Sequence, residues 1–344
     1  MHLEYACAHS GACCSSGWPI PVERSRVVGI QTLRDDQSWL RPAPGAPADV
    51  GGVLALSDNG HCVFHHEGCE IHSTLGVGAK PAACQHFPRE VLIDPRGVFV
   101  TLSHYCPTAA DLLFEHTGPV EIVAGPPAVA FGEPEGLDAR DVLPPLLVDG
   151  VLMDYEGYSA WEAHMVAVLT RDDGLTPEVA VETLKRDAIR LQRWKPAIST
   201  TLAEEIATLS RERYAEKENR PGRISFSYPA QEIHPERFFR GIPSSALSAV
   251  IKRYLAARAF ASWMAYQGNG IAAVVGSLAL TLSVLREHIA RLTANDERAL
   301  TAADLKEAIR ATDRLLVHEL PRGEVVHRAQ ACWRQMLNST TTGP

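Results

Sequence analysis

The chain has 344 residues, of which 46% are apolar and 22% charged, and its formal net charge is −8. This composition is ordinary for a globular protein, and the length allows one large domain or two smaller ones. The acidic balance argues against a general attraction to nucleic acid or to an anionic membrane, so we expect neither as a partner. The opening residues, MHLEYACAHSG, lack a basic segment followed by an apolar one. This predicts a cytoplasmic protein with reduced thiols.

Seven of the eight cysteines lie in the first third of the chain, and residues 107–331 contain none. Cysteines used as small apolar residues would be scattered more evenly. In a reducing compartment the clustering favours a metal site, because a metal ion stabilises thiolates, and soft sulfur ligands select zinc, Cu(I) or iron–sulfur clusters. Redox disulfides and plain packing are the alternatives. The predicted metal ligands are these seven cysteines and one histidine: Cys7, Cys13, Cys14, Cys62, Cys69, Cys84, Cys106 and His72.

The spacing of these residues refines the prediction. The first group reads C-x5-C-C and the second C-x6-C-x14-C. Neighbouring side chains of an extended chain point to opposite sides, so Cys13 and Cys14 are expected to serve two metals or two corners of one cluster. His72 follows Cys69 by three residues, a spacing that closes one turn around an ion. Eight donors would fill two tetrahedral sites, and a four-cysteine cluster with spare thiols fits equally well.

The N-terminal third is rich in loops and carries short predicted strands. Apolar runs on both sides of the turn at 94–97 predict a β-hairpin over residues 89–103. Cys84 and Cys106 flank this hairpin, and its pairing would hold them close together, as a common metal requires. A further strand and a short helix are predicted at 52–56 and 24–33.

Residues 117–149 contain six prolines and four glycines and read as a connector. From residue 150 on, the apolar pattern is helical. Thr176 before Pro177, and Thr301 three residues before Asp304, are helix-start signals. The predicted helices cover residues 176–194, 200–217, 244–268, 271–292, 301–320 and 324–337.

The most apolar run covers residues 270–285, and its 16 residues are short of the roughly 20 that a membrane span needs. We therefore expect the helix over 271–292 to lie at the centre of a bundle. Cys332, alone on the last helix, is expected to pack in the core. The predicted fold is α+β, with a small cysteine-rich loop and β-hairpin metal module (1–116), the connector 117–149, and a mainly α-helical domain (150–338).

The motifs C-x5-C-C, GCEIH, KPAACQHFPR and LSHYCP together resemble the YkgJ-type cysteine-cluster family, described as zinc- or iron-chelating domains. The resemblance is greatest to the branch that includes the flagellin lysine-N-methylases, which also have a tryptophan shortly after the cysteine pair, here Trp18. It covers residues 5–107, and a much weaker likeness extends over 253–270. The resemblance implies a metal-bound N-terminal module that holds zinc or an iron–sulfur cluster.

The same resemblance suggests, as an alternative function, transfer of a methyl group from S-adenosylmethionine to a lysine of a protein or peptide substrate. The chain has neither the C-x3-C-x2-C spacing nor a strand followed by G-x-G-x-x-G, so no cofactor pocket is visible by motif. If the pocket exists, we expect it between the 225–241 segment and the helices over 244–292. Its aromatic and acidic walls would come from Tyr228, Phe238, Phe239, Trp263, Asp154 and Glu236.

The function predicted from the sequence is metal or iron–sulfur binding. The alternatives are the lysine N-methylase-like enzyme, a metal-storage or metal-delivery protein, and a binding protein whose zinc is purely structural. No catalytic residue is assigned.

Overall fold

The computed structural model describes residues 2–118, 120–125, 136–171, 174–196, 200–215, 244–267, 270–293 and 300–338. The chain is a mixed α+β protein, as predicted. The strands are β1 Pro21–Glu23, β2 Leu40–Arg41, β3 Val50–Leu54, β4 Arg89–Asp94, β5 Gly97–Leu102, β6 Leu137–Asp138, β7 Leu146–Val148 and β8 Val151–Leu152. The helices are α1 Arg24–Gln31, α2 Glu70–Leu75, α3 Ala82–His86, α4 Pro107–Glu115, α5 Tyr155–Thr170, α6 Pro177–Leu191, α7 Leu202–Ala215, α8 Ser244–Ala259, α9 Gly270–Thr293, α10 Ala302–Asp313 and α11 Arg322–Asn338.

The N-terminal part is built on a small antiparallel sheet with the strand order β1-β3-β2. Helix α1 follows β1 directly and packs against β1 and β3. Apolar side chains from this sheet and the following loops form their own buried cluster, which contains Val22, Ile30, Trp39 and Phe64. Three cysteines belong to the same cluster: Cys14, Cys62 and Cys84. The thiol-bearing segments are therefore packed on a core of their own.

The predicted β-hairpin is confirmed. β4 pairs antiparallel with β5 from Arg89 opposite Leu102 to Asp94 opposite Gly97. β6 adds to the other edge of β4 in parallel, which brings residues 137–138 of the predicted connector into this sheet. Leu113 of α4 lies in the main apolar core with the helices that follow. The three-part division of the chain stays a prediction.

Helix α9 lies at the centre of the helical part and contacts α6, α8, α10 and α11. Among the described residues it is the single helix long and apolar enough to cross a membrane, and 72% of its apolar window is buried inside the protein. Its apolar side chains therefore pack against neighbouring helices, as expected of a central bundle helix. Cys332 packs at the edge of the same core, which confirms its expected position.

The local helix signals are confirmed where they were predicted. The Thr176 hydroxyl accepts a hydrogen bond from the backbone N–H of Val179, with Pro177 in the first helical position. Thr301 and Asp304 form the reciprocal capping box. Each motif satisfies backbone donors that have no partner inside the helix.

Two helix ends differ from the prediction. Helix α8 ends at Ala259 and not at 268, because Ala261 takes a positive φ of 52° before a short 3₁₀ turn, Trp263–Tyr266. Helix α10 stops at Asp313, and the chain continues as a π-helix over Arg314–Glu319. The 3.6-residue pattern in the sequence does not distinguish an α-helical turn from a π-helical turn, because over six residues the same side of the helix stays apolar in both. The apolar pattern of the sequence predicted no separate helix over the residues of α5.

Replacing Gly276 of α9 by alanine should destabilise the protein by about 1–3 kcal/mol, the usual cost of overpacking. A Cβ atom at Gly276 would overlap the carbonyl oxygen of Ala329, so α9 and α11 could no longer approach as closely. Urea unfolding followed by circular dichroism measures the loss. Gly29→Ala is the matched control, because its Cβ would have no neighbour within 4 Å and alanine favours the helix. An equal or greater loss in Gly29→Ala would contradict this account of the packing.

Candidate metal centre

Five thiols from four separate stretches of chain gather beside the N-terminal sheet. We call them the thiol cluster: Cys13, Cys14, Cys62, Cys69 and Cys84. All are free thiols, and Cys14, Cys62 and Cys84 are buried while Cys13 and Cys69 are half-buried. The ionisation of each of the five depends on at least one other thiol of the group. Folding thus brings together side chains up to 71 positions apart in sequence, from Cys13 to Cys84.

Cys13 and Cys14 lie in a tight turn, not in an extended chain. Their sulfur atoms are 3.9 Å apart, on the same side of the turn. The expectation that the two side chains point to opposite sides is therefore wrong. Gly11 opens the turn with a φ of 73°, and a Cβ atom there would overlap the imidazole of His65. Glycine is required at this point for both reasons.

The remaining thiols are placed by short local structures. The Cys62 N–H donates to the Cys14 carbonyl oxygen at 2.7 Å, which ties the second segment to the first. Cys69 is the N-cap residue of α2 and Cys84 lies within α3. The two short helices thereby hold Cys69 and Cys84 near Cys13.

Cys14 forms a three-sulfur hydrogen-bonded group with Cys13 and Cys69. These hydrogen bonds raise the pKa of Cys14 well above the usual range. The hydrogen bonds with Cys14 also lower the pKa of Cys13 to about 7 and that of Cys69 to about 6. Burial raises the pKa of Cys62 to about 11 and also raises that of Cys84. The thiolate form is therefore favoured at Cys13 and Cys69, and the protonated form at Cys14, Cys62 and Cys84.

Cys7 and Cys106, two of the predicted ligands, share Tyr5 as a neighbour. The Cys106 sulfur is 3.8 Å from the Tyr5 hydroxyl, and Tyr5 also contacts Cys7. Cys7 is exposed, whereas Cys106 is buried in a small apolar cluster with Leu102. The hairpin does not bring Cys106 into the apolar cluster of Cys84, since the two residues belong to separate clusters.

His72 has the features of a side chain that is available to ligate a metal. It lies on α2 one turn after Cys69, and the centre of its ring is 4.6 Å from that of His9, with the two rings tilted by 43°. Its Nδ1 atom is buried and has no hydrogen-bond partner in the described part of the chain. Burial, with the charges of Lys80 and His9, lowers its pKa, so the ring is neutral at pH 7. A neutral imidazole with a free nitrogen can ligate a metal.

The donor set fits zinc or an iron–sulfur cluster in its chemistry and in part in its geometry. Two thiolates on one tetrahedral ion with bonds of about 2.3 Å stand about 3.8 Å apart, close to the 3.9 Å between Cys13 and Cys14. In the described residues, however, no group of three or more His, Cys, Asp or Glu side chains is arranged to hold an ion. A complete coordination shell would therefore need the side chains of the thiol cluster to turn toward a common point.

An aromatic group that sequence reasoning missed joins the cysteine-rich part to the helices. Trp18 stacks on His318 at 4.3 Å and contacts Tyr105 at 5.0 Å. His318 belongs to the π-helix, and its Nε2 lies 2.7 Å from the Ser103 hydroxyl oxygen. Burial lowers the pKa of His318 to about 4. Trp18 was noticed only for its position after the cysteine pair, and nothing in the sequence linked it to residue 318.

The residues expected to wall a methyl-donor pocket are only partly described. Asp154 caps α5 by accepting from the Gly157 N–H at 2.5 Å, and Trp263 lies in the 3₁₀ turn after α8. Four others fall outside the described residues: Tyr228, Glu236, Phe238 and Phe239. Two grooves of the described surface lie along residues 42–51 and on α7, and no cysteine of the thiol cluster lines either of them. The lysine N-methylase-like function and its cofactor stay predictions.

Comparisons of the chain with protein-family models, curated proteins and solved structures gave no match.

Proposed function

We propose that the protein binds zinc or an iron–sulfur cluster through the thiol cluster, with His72 as an additional ligand. The observation that carries the proposal is the convergence of five free thiols from four chain segments on one half-buried place. Soft thiolates select zinc, Cu(I) or iron–sulfur clusters over magnesium and calcium. The group as a whole forms a small cysteine-rich metal module next to the helical part.

A metal would also stabilise this part of the chain. The N-terminal sheet has three short strands, and its apolar cluster is small. Small lobes of this kind commonly depend on a metal ion or on disulfides for stability. Thiolate ligands deprotonate on binding, so the free energy of metal binding adds to that of folding. The Sγ atoms of Cys13 and Cys69 are the first donors available, because their pKa values are lowered and they lose their protons most easily.

Elemental analysis of the anaerobically purified chain tests the proposal. We expect zinc or iron to co-purify, and visible absorption separates the two, because an iron–sulfur cluster is brown and zinc is colourless. Cys13→Ser and Cys84→Ser should lose most of the metal and lower the stability of the N-terminal part. Cys332→Ser is the matched control, since Cys332 packs against the helical core, and it should keep the full metal content.

Two outcomes would contradict the proposal. One is a folded wild-type protein that carries no metal and whose cysteines all react freely with a thiol reagent. The other is an equal metal loss in Cys13→Ser, Cys84→Ser and Cys332→Ser, which would show that the loss does not depend on the thiol cluster.

A further inference from the structure

Two histidines outside the thiol cluster face each other where the cysteine-rich part meets the helices. His2 lies in the short 3₁₀ turn His2–Glu4, and His104 follows the β-hairpin and packs against Tyr254 of α8. Their Nε2 atoms are 3.3 Å apart and their ring centres 5.3 Å apart. His104 is fully buried, whereas His2 is half-buried. The pair therefore has one ring fixed inside the protein and one ring nearer to the solvent.

The hydrogen bonds around His2 show which of its nitrogens carries the proton. Its Nδ1 atom lies 3.3 Å from the Thr101 hydroxyl oxygen. That hydroxyl donates its single hydrogen to the Ala257 carbonyl oxygen at 3.0 Å, so toward His2 it can only accept. Nδ1 of His2 is therefore the N–H, and Nε2 of the neutral ring has a lone pair on the side of His104.

The surroundings of His104 place its proton in the same way. Its Nδ1 atom is buried, lies 3.4 Å from Oδ2 of Asp313, and makes no aligned hydrogen bond within the described residues. A ring nitrogen without hydrogen would repel this carboxylate, whose other oxygen accepts from the Tyr254 hydroxyl at 2.6 Å. Nδ1 of His104 is therefore also an N–H, which leaves a lone pair on Nε2 of the neutral ring. Histidines that bind metals commonly direct their second nitrogen toward a carboxylate in this manner.

Two lone pairs that face each other need a cation between them. The Nε2 separation of 3.3 Å is long for a hydrogen bond. It matches two imidazoles on one tetrahedral zinc ion, since bonds of about 2.0–2.1 Å place their nitrogens about 3.3–3.4 Å apart. The same arrangement places the ring centres, each about 1.1 Å behind its nitrogen, about 5.2 Å apart. The observed 5.3 Å agrees with two rings aimed at one ion.

We propose that His2 and His104 form a second metal site, for a divalent ion such as zinc, separate from the thiol cluster. The inference does not depend on the proposed function. Imidazole nitrogens suit zinc, copper, iron and nickel. Asp313 and Thr101 are positioning residues that fix the two rings through their Nδ1 atoms. No third His, Cys, Asp or Glu joins the pair in the part of the chain that the structure describes. Water or a small ligand therefore takes the remaining positions, as in metal sites that exchange ligands and unlike closed structural sites.

A zinc titration of the full chain, with isotope-labelled histidines and without a histidine tag, tests this site by NMR. We expect zinc to shift the Nε2 signals of His2 and His104, while both Nδ1 atoms stay protonated. Equilibrium dialysis counts the ions, and His2→Gln should bind one zinc ion fewer per chain than wild type. Thr101→Val, which removes the acceptor for His2 Nδ1, should bind this ion about 10- to 100-fold more weakly. His327→Gln, at an exposed position of α11, is the matched control and should bind like wild type.

The outcomes separate this site from the thiol cluster. Unchanged Nε2 signals of the wild-type chain under saturating zinc would show that the two nitrogens share only a proton, and would overturn the inference whether or not the variants fold. Equal zinc loss in His2→Gln and His327→Gln would overturn it as well, because such binding would be unspecific. Shifted histidine signals in a wild-type chain whose cysteines bind no metal would support this site and contradict the proposed function alone.

Discussion

Replacing Asp313 by asparagine should lower the free energy of unfolding by about 3–5 kcal/mol, the usual cost of breaking a buried charge network. Asp313 ends α10 and its side chain is fully buried. One carboxylate oxygen accepts from the His104 backbone N–H at 2.5 Å, and the other accepts from the Tyr254 hydroxyl at 2.6 Å. Asparagine removes the negative charge that interacts with half-buried Arg258 and replaces one acceptor with a donor.

This carboxylate joins the two halves of the protein. His104 follows the β-hairpin, whereas Tyr254 and Arg258 belong to α8. Arg258 also pairs with Glu90 of β4 at 2.6 Å. The loss of Asp313 should therefore loosen the contact of the hairpin with the helices as well as α10 itself.

The effect of Asp313→Asn should depend on pH. Burial alone would raise the pKa of Asp313, but the charge of Arg258 and the hydrogen bonds from His104 and Tyr254 lower it from 3.8 to about 2. A carboxyl group whose pKa is lowered by folding contributes its full stability above the unfolded value. That contribution is lost as the pH falls from about 4 to about 2. The stability difference between wild type and Asp313→Asn should therefore shrink over this window.

Urea unfolding at several pH values measures both effects, and Asp138→Asn is the control. Asp138 pairs with Arg140 on the surface, where both side chains are about half exposed, so its replacement should leave the urea midpoint unchanged. If Asp313→Asn unfolds at the wild-type urea concentration near pH 7, the buried network does not stabilise the fold as described.

Replacing Arg96 by methionine should cost a comparable amount, about 3–5 kcal/mol, because it leaves two buried carboxylates without their positively charged partner. Arg96 lies at the tip of the hairpin and donates to Asp94 at 2.7 Å and to Glu162 of α5 at 2.5 Å. Its guanidinium also lies over the rings of Phe99 and Tyr158, at 4.4 and 4.1 Å. Methionine keeps the apolar bulk but supplies neither the charge nor the five donors.

The chain contains a matched control for this replacement. Arg140 pairs with Asp138 two residues before it, the same spacing as Arg96 with Asp94, but on the surface. Arg140→Met should leave the urea midpoint close to that of wild type, since exposed pairs contribute little. Similar midpoints for Arg96→Met and Arg140→Met would mean that burial of the Arg96 group does not matter. Recovery of stability in the double variant Arg96→Met with Glu162→Gln would show that the cost lies in the unpaired carboxylates.

The elements that the sequence alone determined are those made by residues close together in the chain. The β-hairpin followed from apolar runs around the 94–97 turn, and the starts of α6 and α10 followed from Thr176 and Thr301. The central position of α9 followed from its apolar composition. Turns, caps and amphipathic faces depend on neighbours within a few residues, so the local sequence carries the information.

The tertiary structure alone decided which cysteines meet. Cys13, Cys14, Cys62, Cys69 and Cys84 gather in one place, while Cys7 and Cys106 lie beside Tyr5. The spacing of cysteines fixes neither choice, because the position of each segment depends on how the loops between them pack. The turn at Gly11 reversed the expected directions of Cys13 and Cys14, since the alternation of side chains holds only for an extended chain.

The buried charged residues could not be predicted from the sequence either. Arg96 and Asp313 look like ordinary polar residues in a turn and at a helix end. Their partners are distant in the chain: Arg96 meets Glu162 and Asp313 meets His104. Electrostatic interactions become strong only where folding excludes water, so burial decides their weight, and burial is a property of the whole fold.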